Sequence, residues 1–186
     1  MRESSYHAIL TEMTVRALWE TQNVIDCIPD EIWDKPYGGA PLWQYLYHTL
    51  HGLDQWFLNP RDQDFVEPPI HTPRLQDLAI YPATRLTRRQ INEYFHTIKA
   101  KLSLYLTALH DEDLLQRPEG CEWTRMTLIL AQYRHLHLHV GMLMGFVLAE
   151  TGLCPRVLDL GDEIPQGPYD PLLISPLHGS VAIVKT

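Results

Sequence analysis

Long apolar runs are missing from this chain of 186 residues. None reaches the ~18 uninterrupted apolar residues of a membrane-spanning helix, so no membrane partner is expected. Basic clusters are missing too: 15 Lys and Arg against 23 Asp and Glu give a formal net charge of -8. Nucleic-acid binding needs a positive stripe, and this balance speaks against one. Cysteine is scarce. Cys27, Cys121 and Cys154 are odd in number and widely spaced, which fits neither a disulfide framework nor paired metal ligands. They read as reduced thiols of a cytoplasmic protein. The opening residues, MRESSYHAILTEM, hold no apolar signal-peptide core. A glycine-rich phosphate loop and a Gly-x-Ser-x-Gly elbow are also lacking. What remains is a chain of one-domain length, 45% apolar, that can bury a core, and it carries ten histidines.

Helical periodicity organises most of it. Residues 5–27 predict a first helix, with Ile9, Met13 and Ala17 in one stripe beside Leu10, Leu18, Val24 and Ile25. Pro29 ends it. Gly38-Gly39 breaks the chain, Pro41 suits a first helical turn, and a second helix runs to about Leu58. Residues 59–86 hold five prolines and no sustained period. A connection this long is unusual inside a compact domain and suits a crossover that lines or covers a site. Thr87-Arg88-Arg89-Gln90 is a capping-box pattern opening a third helix, whose buried face is Ile91, Phe95, Ile98, Leu102, Leu106 and Leu109. That helix exits at His110–Asp113. A fourth begins at Thr124 or Thr127 and ends at Gly152, a length of ~39 Å at ~1.5 Å per residue. The expected fold is therefore all-α, a four-helix bundle with a long crossover between helices 2 and 3. Residues 1–152 form the bundle, and 153–186 form an irregular tail packed on it, with a short strand at Ser180–Val184.

The histidines are placed for chemistry. His135 and His139 are four residues apart in AQYRHLHLHVGMLMGFV, one turn apart on one helix face, together with Gln132, Leu128, Met142 and Phe146. That face is expected to point inward. His137 lies ~200° round from His135 and should point elsewhere. His48 sits in a second apolar stretch, LWQYLYHTLHGLDQWF, with His51 three residues on. Three histidines from two facing helices can hold one divalent transition metal and leave a coordination position open. A buried histidine is as readily a core residue bonded to a carbonyl, and spacing alone leaves both readings open. The aromatic residues Trp43, Tyr45, Tyr47 and Trp56 read as core and interface bulk. Asp111-Glu112-Asp113 reads as a solvated helix exit.

At these residues the chain resembles the DinB family, which includes the YfiT-like metal-dependent hydrolases. LWQYLYHTLHGLDQWFL is similar to the family's second-helix pattern, a tryptophan followed five residues later by a histidine and then aromatics. TRMTLILAQYRHLHLHVGML is similar to the fourth-helix pattern, a threonine start and then His-x-x-x-His-x-Gly, here His135, His139 and Gly141. The resemblance covers roughly residues 5–152. It implies a four-helix bundle and a divalent metal, zinc or nickel, held by His48, His135 and His139. It further implies a homodimer, and a small-molecule reaction of the thiol S-transferase or hydrolase type, with a low-molecular-weight thiol as cosubstrate in some relatives. The chain departs from the pattern at His51, where the family often has an acidic residue, and in its tail. Gln132 and His51 are candidates to orient a substrate or move a proton beside the metal. The competing reading is a non-catalytic helical module for stress response or interaction, with a structural metal or none.

Overall fold

The computed structural model describes residues 5–167, 169–175 and, for the backbone, 181–183. Four helices dominate: α1 (Tyr6–Cys27), α2 (Leu42–Trp56), α3 (Arg88–Ala108) and α4 (Arg125–Thr151). Helix α2 packs against α3 and α4, and α1 packs against the same two helices. The chain is thus all-helical in class, with only tiny strands. Among the described residues, no helix is long and apolar enough to cross a membrane.

The helix ends follow local chemistry. Thr87 caps α3 through a complete capping box with Gln90. The Thr124 hydroxyl accepts from the Thr127 N–H at the start of α4, and Gly152 closes that helix in the left-handed conformation, φ 71°. Pro41 is the cap residue of α2, which ends at Trp56, two residues before the expected Leu58. Such ends fray and shift by a residue or two. Every expected core residue of α3, from Ile91 to Leu109, is buried.

Two expectations of facing need correction. Ile9 is exposed, and the buried stripe of α1 runs instead through Leu10, Thr14, Ala17, Leu18 and Ile25. The apolar period tolerates Thr14 inside because its hydroxyl donates to the Leu10 carbonyl and bonds the Tyr133 hydroxyl. On α4, Met142 is exposed and the inward row is Ile129, Gln132, Leu136, His139, Leu143 and Val147. His135 is therefore half-buried at the row's edge, and Phe146 lies partly buried against Tyr37 and Tyr45.

Two small sheets went unforeseen. Strands β1 (Pro36–Tyr37) and β2 (Ala40–Pro41) form a hairpin around Gly38 and Gly39, both at positive φ, 59° and 98°. A tight two-residue hairpin turn needs that sign at both positions, which glycine alone adopts freely. The tail is more ordered than expected. Strands β3 (Cys154–Pro155), β4 (Leu172–Ile174) and β5 (Val181–Ile183) form an antiparallel sheet in that order. The expected strand at Ser180–Val184 coincides with β5, its two end residues lying outside the described residues. The sheet is fastened to α1 by buried Asn23. Its amide donates to the carbonyls of Arg156 and Leu172, while its oxygen accepts from the Leu172 N–H and the Tyr169 hydroxyl.

The connection between α2 and α3 contains no regular helix or strand and is held by side chains of α2. The fully buried Gln44 amide nitrogen lies 3.0–3.1 Å from the carbonyls of Leu75, Asp77 and Ile80. Leu75 and Leu86 anchor the segment in the core. This arrangement lays the crossover alongside the histidine-bearing face of α2.

Candidate metal centre

His48 on α2 and His135 and His139 on α4 meet where the two helices pack. Their nitrogen donors lie within 4.8 Å of one another. The ring centroids of His48 are 5.1 Å from His135 and 4.6 Å from His139, and the latter two are 4.7 Å apart. The crossover fixes the tautomer of His48. Its Nδ1–H donates to the Gln76 carbonyl at 2.7 Å, which leaves the Nε2 lone pair facing His135 Nε2 at 3.1 Å.

Two glutamines and a glycine complete the setting. Gly52 stands one turn after His48, and a Cβ built there would lie 2.7 Å from His135 Cε1. A methyl group cannot approach so closely, so the glycine makes the space into which the His135 ring fits. Gln132 is buried, and its Oε1 has no partner; the same is true of Nδ1 of His135 and of His139. Unpaired buried polar atoms are uncommon and costly. Three of them occur here.

Burial pushes the His139 pKa down to about 4, with the charges of His48 and His135 adding to it. His135 moves in the same direction, through burial first and His48 second. Burial disfavours a protonated ring at His135 and His139, so both favour the neutral form that ligates metal. The donor set fits a divalent ion: three imidazole nitrogens, no competing carboxylate among them, and one bond to a backbone carbonyl orienting the first ring.

His48 and His135 line a cleft of about 490 Å³ together with Gly52, Trp56, Gln76 and Arg134. The volume is that of a small-molecule site. His51 borders the same cleft but commits its Nε2 to Glu67 Oε2 at 2.7 Å. His137 is exposed and bonds the carbonyl of Tyr133. The sequence reading thus named all three converging histidines and Gln132. It gave no role to Gly52 or Gln76. Gly52 had a signal, a glycine inside an apolar helix exactly one turn from a histidine. Gln76 acts through its backbone and had none.

No family model, no curated protein and no solved structure matches this chain.

Proposed function

We propose that the chain is a DinB-like four-helix bundle and a metal-dependent enzyme acting on a small molecule, of the thiol S-transferase or hydrolase type. The observation carrying this reading is the convergence of His48, His135 and His139, the first two of which line a cleft. An ion bound by three neutral imidazoles would supply Lewis acidity, bringing a water's pKa toward ~7 or removing the proton of a low-molecular-weight thiol. Zinc and nickel both suit such ligands.

The chain's own residues would do the rest. Gln76, through its carbonyl, holds the His48 ring in the tautomer that offers Nε2. Burial keeps His139 unprotonated at neutral pH, so no proton has to leave it when a ligand bond forms. Gln132 stands three residues before His135 on the cleft wall with a free acceptor oxygen, which suits an N–H of a substrate. Arg134 brings a guanidinium to the cleft, where it suits the carboxylate of an acidic thiol. Trp56 gives an apolar wall. The exposed apolar residues Leu130, Leu138 and Met142 of α4 support association with a second copy, as a homodimer.

The test is a reaction screen with zinc- or nickel-loaded, untagged protein. A panel of low-molecular-weight thiols is offered with an electrophilic acceptor, and simple esters and amides are offered without thiol. Turnover is expected in one arm, falling to the metal-free rate in His139→Ala. Equal rates for loaded, metal-free and His139→Ala protein across both arms would favour the non-catalytic module.

A further inference from the structure

A second group of metal-ligating side chains shares no ligand with the three-histidine site, although its His51 borders the same cleft. His51 from α2 and Glu67 and His71 from the crossover bring their donor atoms within 4.8 Å of one another. His51 is deeply buried, its side chain 5% exposed, and His71 is nearly so at 15%. Both rings address the same carboxylate oxygen. Glu67 Oε2 is 2.7 Å from His51 Nε2 and 3.5 Å from His71 Nδ1. The imidazoles lie almost parallel, 28° between planes, with centroids 5.5 Å apart.

From these positions we infer that His51, Glu67 and His71 form a second binding site for a divalent first-row transition metal, which staples the crossover to α2. Around an ion with ligand bonds of ~2.0–2.2 Å, neighbouring donors stand roughly 3–3.5 Å apart. The separations here fall about that spacing. Two imidazoles with one carboxylate is also a familiar ligand set for such ions.

Hydrogen bonds hold the two rings to different partners. The His51–Glu67 contact is a good bond, but the gap from His71 Nδ1 to Glu67 is too long for one. His71 Nδ1 instead meets the buried Tyr47 hydroxyl at 2.6 Å. Tyr47 is one turn before His51 on α2, so ligation through Nδ1 would leave its oxygen beside the ion. A short turn, with the His71 N–H donating to the Pro68 carbonyl at 2.8 Å, places Glu67 and His71 on the same side of the connection.

The approach to this site favours cations. Glu67 lies on the wall of a cleft of about 660 Å³ between the crossover and α3. Asp54, Asp62, Asp64 and Glu93 share that cleft with a single lysine, Lys101, whose ammonium is engaged by Asp54 at 2.5 Å. Such a cleft concentrates positive ions. Five prolines between residues 59 and 86 stiffen the crossover without giving it secondary structure, and a metal bond to α2 would add to the fastening already made by Gln44 and His48.

Zinc uptake by untagged protein, stripped of metal and titrated calorimetrically, tests the site. The background variant His135→Ala/His139→Ala removes the three-histidine site and is expected to bind one Zn²⁺ per chain. Adding Glu67→Gln or His71→Ala is expected to abolish that binding. Glu67→Gln keeps the shape of the side chain and an oxygen for His51, so loss through misfolding is excluded by an unchanged circular dichroism spectrum. If the background variant does not fold, Glu67→Gln and His71→Ala are made singly, and each should lower the wild-type stoichiometry by one ion. The inference is overturned if the folded background variant binds no zinc, or if its zinc survives both further substitutions. It is equally overturned if neither single variant lowers uptake. Failure of the three-histidine reading looks different: His71→Ala protein would then bind no zinc at all.

Discussion

At Gly52 the backbone of α2 comes so near α4 that no side chain has room beside the His135 ring. Alanine is ordinarily better than glycine inside a helix by roughly 0.5–1 kcal/mol. Here the sign should reverse. Gly52→Ala is expected to destabilise the protein by ~1–3 kcal/mol in urea unfolding, the usual range for overpacking, and to weaken zinc binding by displacing His135. Stability at or above wild type would show that the ring does not need this space. Cysteine reactivity offers a second check at this scale. Cys27 is 1% exposed, and burial first, then the Asp26 charge, pushes its pKa up to about 12. Alkylation requires the thiolate, whose share at pH 8 would be about one in 10,000. Native protein at pH 8 should leave Cys27 unmodified by iodoacetamide, with labelling rising only as the pH climbs toward 12 or the protein unfolds. Prompt labelling of Cys27 at pH 8 would contradict its placement beneath the tail.

The four helices were legible in sequence because their ends and faces are written in local chemistry. Thr87 with Gln90 and Gly152 are signals that act within one turn, and both mark helix ends in the structure. Facing was less legible at Ile9 and Met142, since a period of 3.6 places a stripe only to within a residue of its neighbours and packing selects among them. The tail sheet depends on Asn23, more than 130 residues from its partners, and no local pattern announces such a bond. The site was legible for its three histidines, which repeat helical spacing, and illegible for Glu67 and His71, which reach α2 only because the crossover lies along it. The Gln44 amide shares its two N–H donors among three carbonyls of the crossover, the segment that also presents Gln76 to His48. Removing the amide strands buried acceptors, at ~1–3 kcal/mol. Gln44→Leu should lower stability by that amount and speed proteolytic cleavage between residues 72 and 82. It should also reduce zinc affinity, because His48 loses its fixed partner. An uncleaved segment with unaltered stability would show that the crossover is held some other way.

For the molecule as a whole, an ion joining α2 to α4 couples binding to folding. A ligand that binds only the folded state adds ~2.7 kcal/mol when present at 100 times its Kd. For a chain of this size that corresponds to a rise in Tm of roughly 5–10 °C, which a chelator should reverse. The same treatment should leave His135→Ala/Glu67→Gln protein unmoved. The most direct measurement counts ions. In a Glu67→Gln background, which removes the His51–Glu67–His71 cluster, metal-free untagged protein is loaded with zinc, dialysed and analysed for zinc per chain. One ion is predicted, lost when His48, His135 or His139 is replaced singly by alanine while the circular dichroism spectrum stays unchanged. No ion in the background protein, or one that persists in all three alanine variants, would contradict the account.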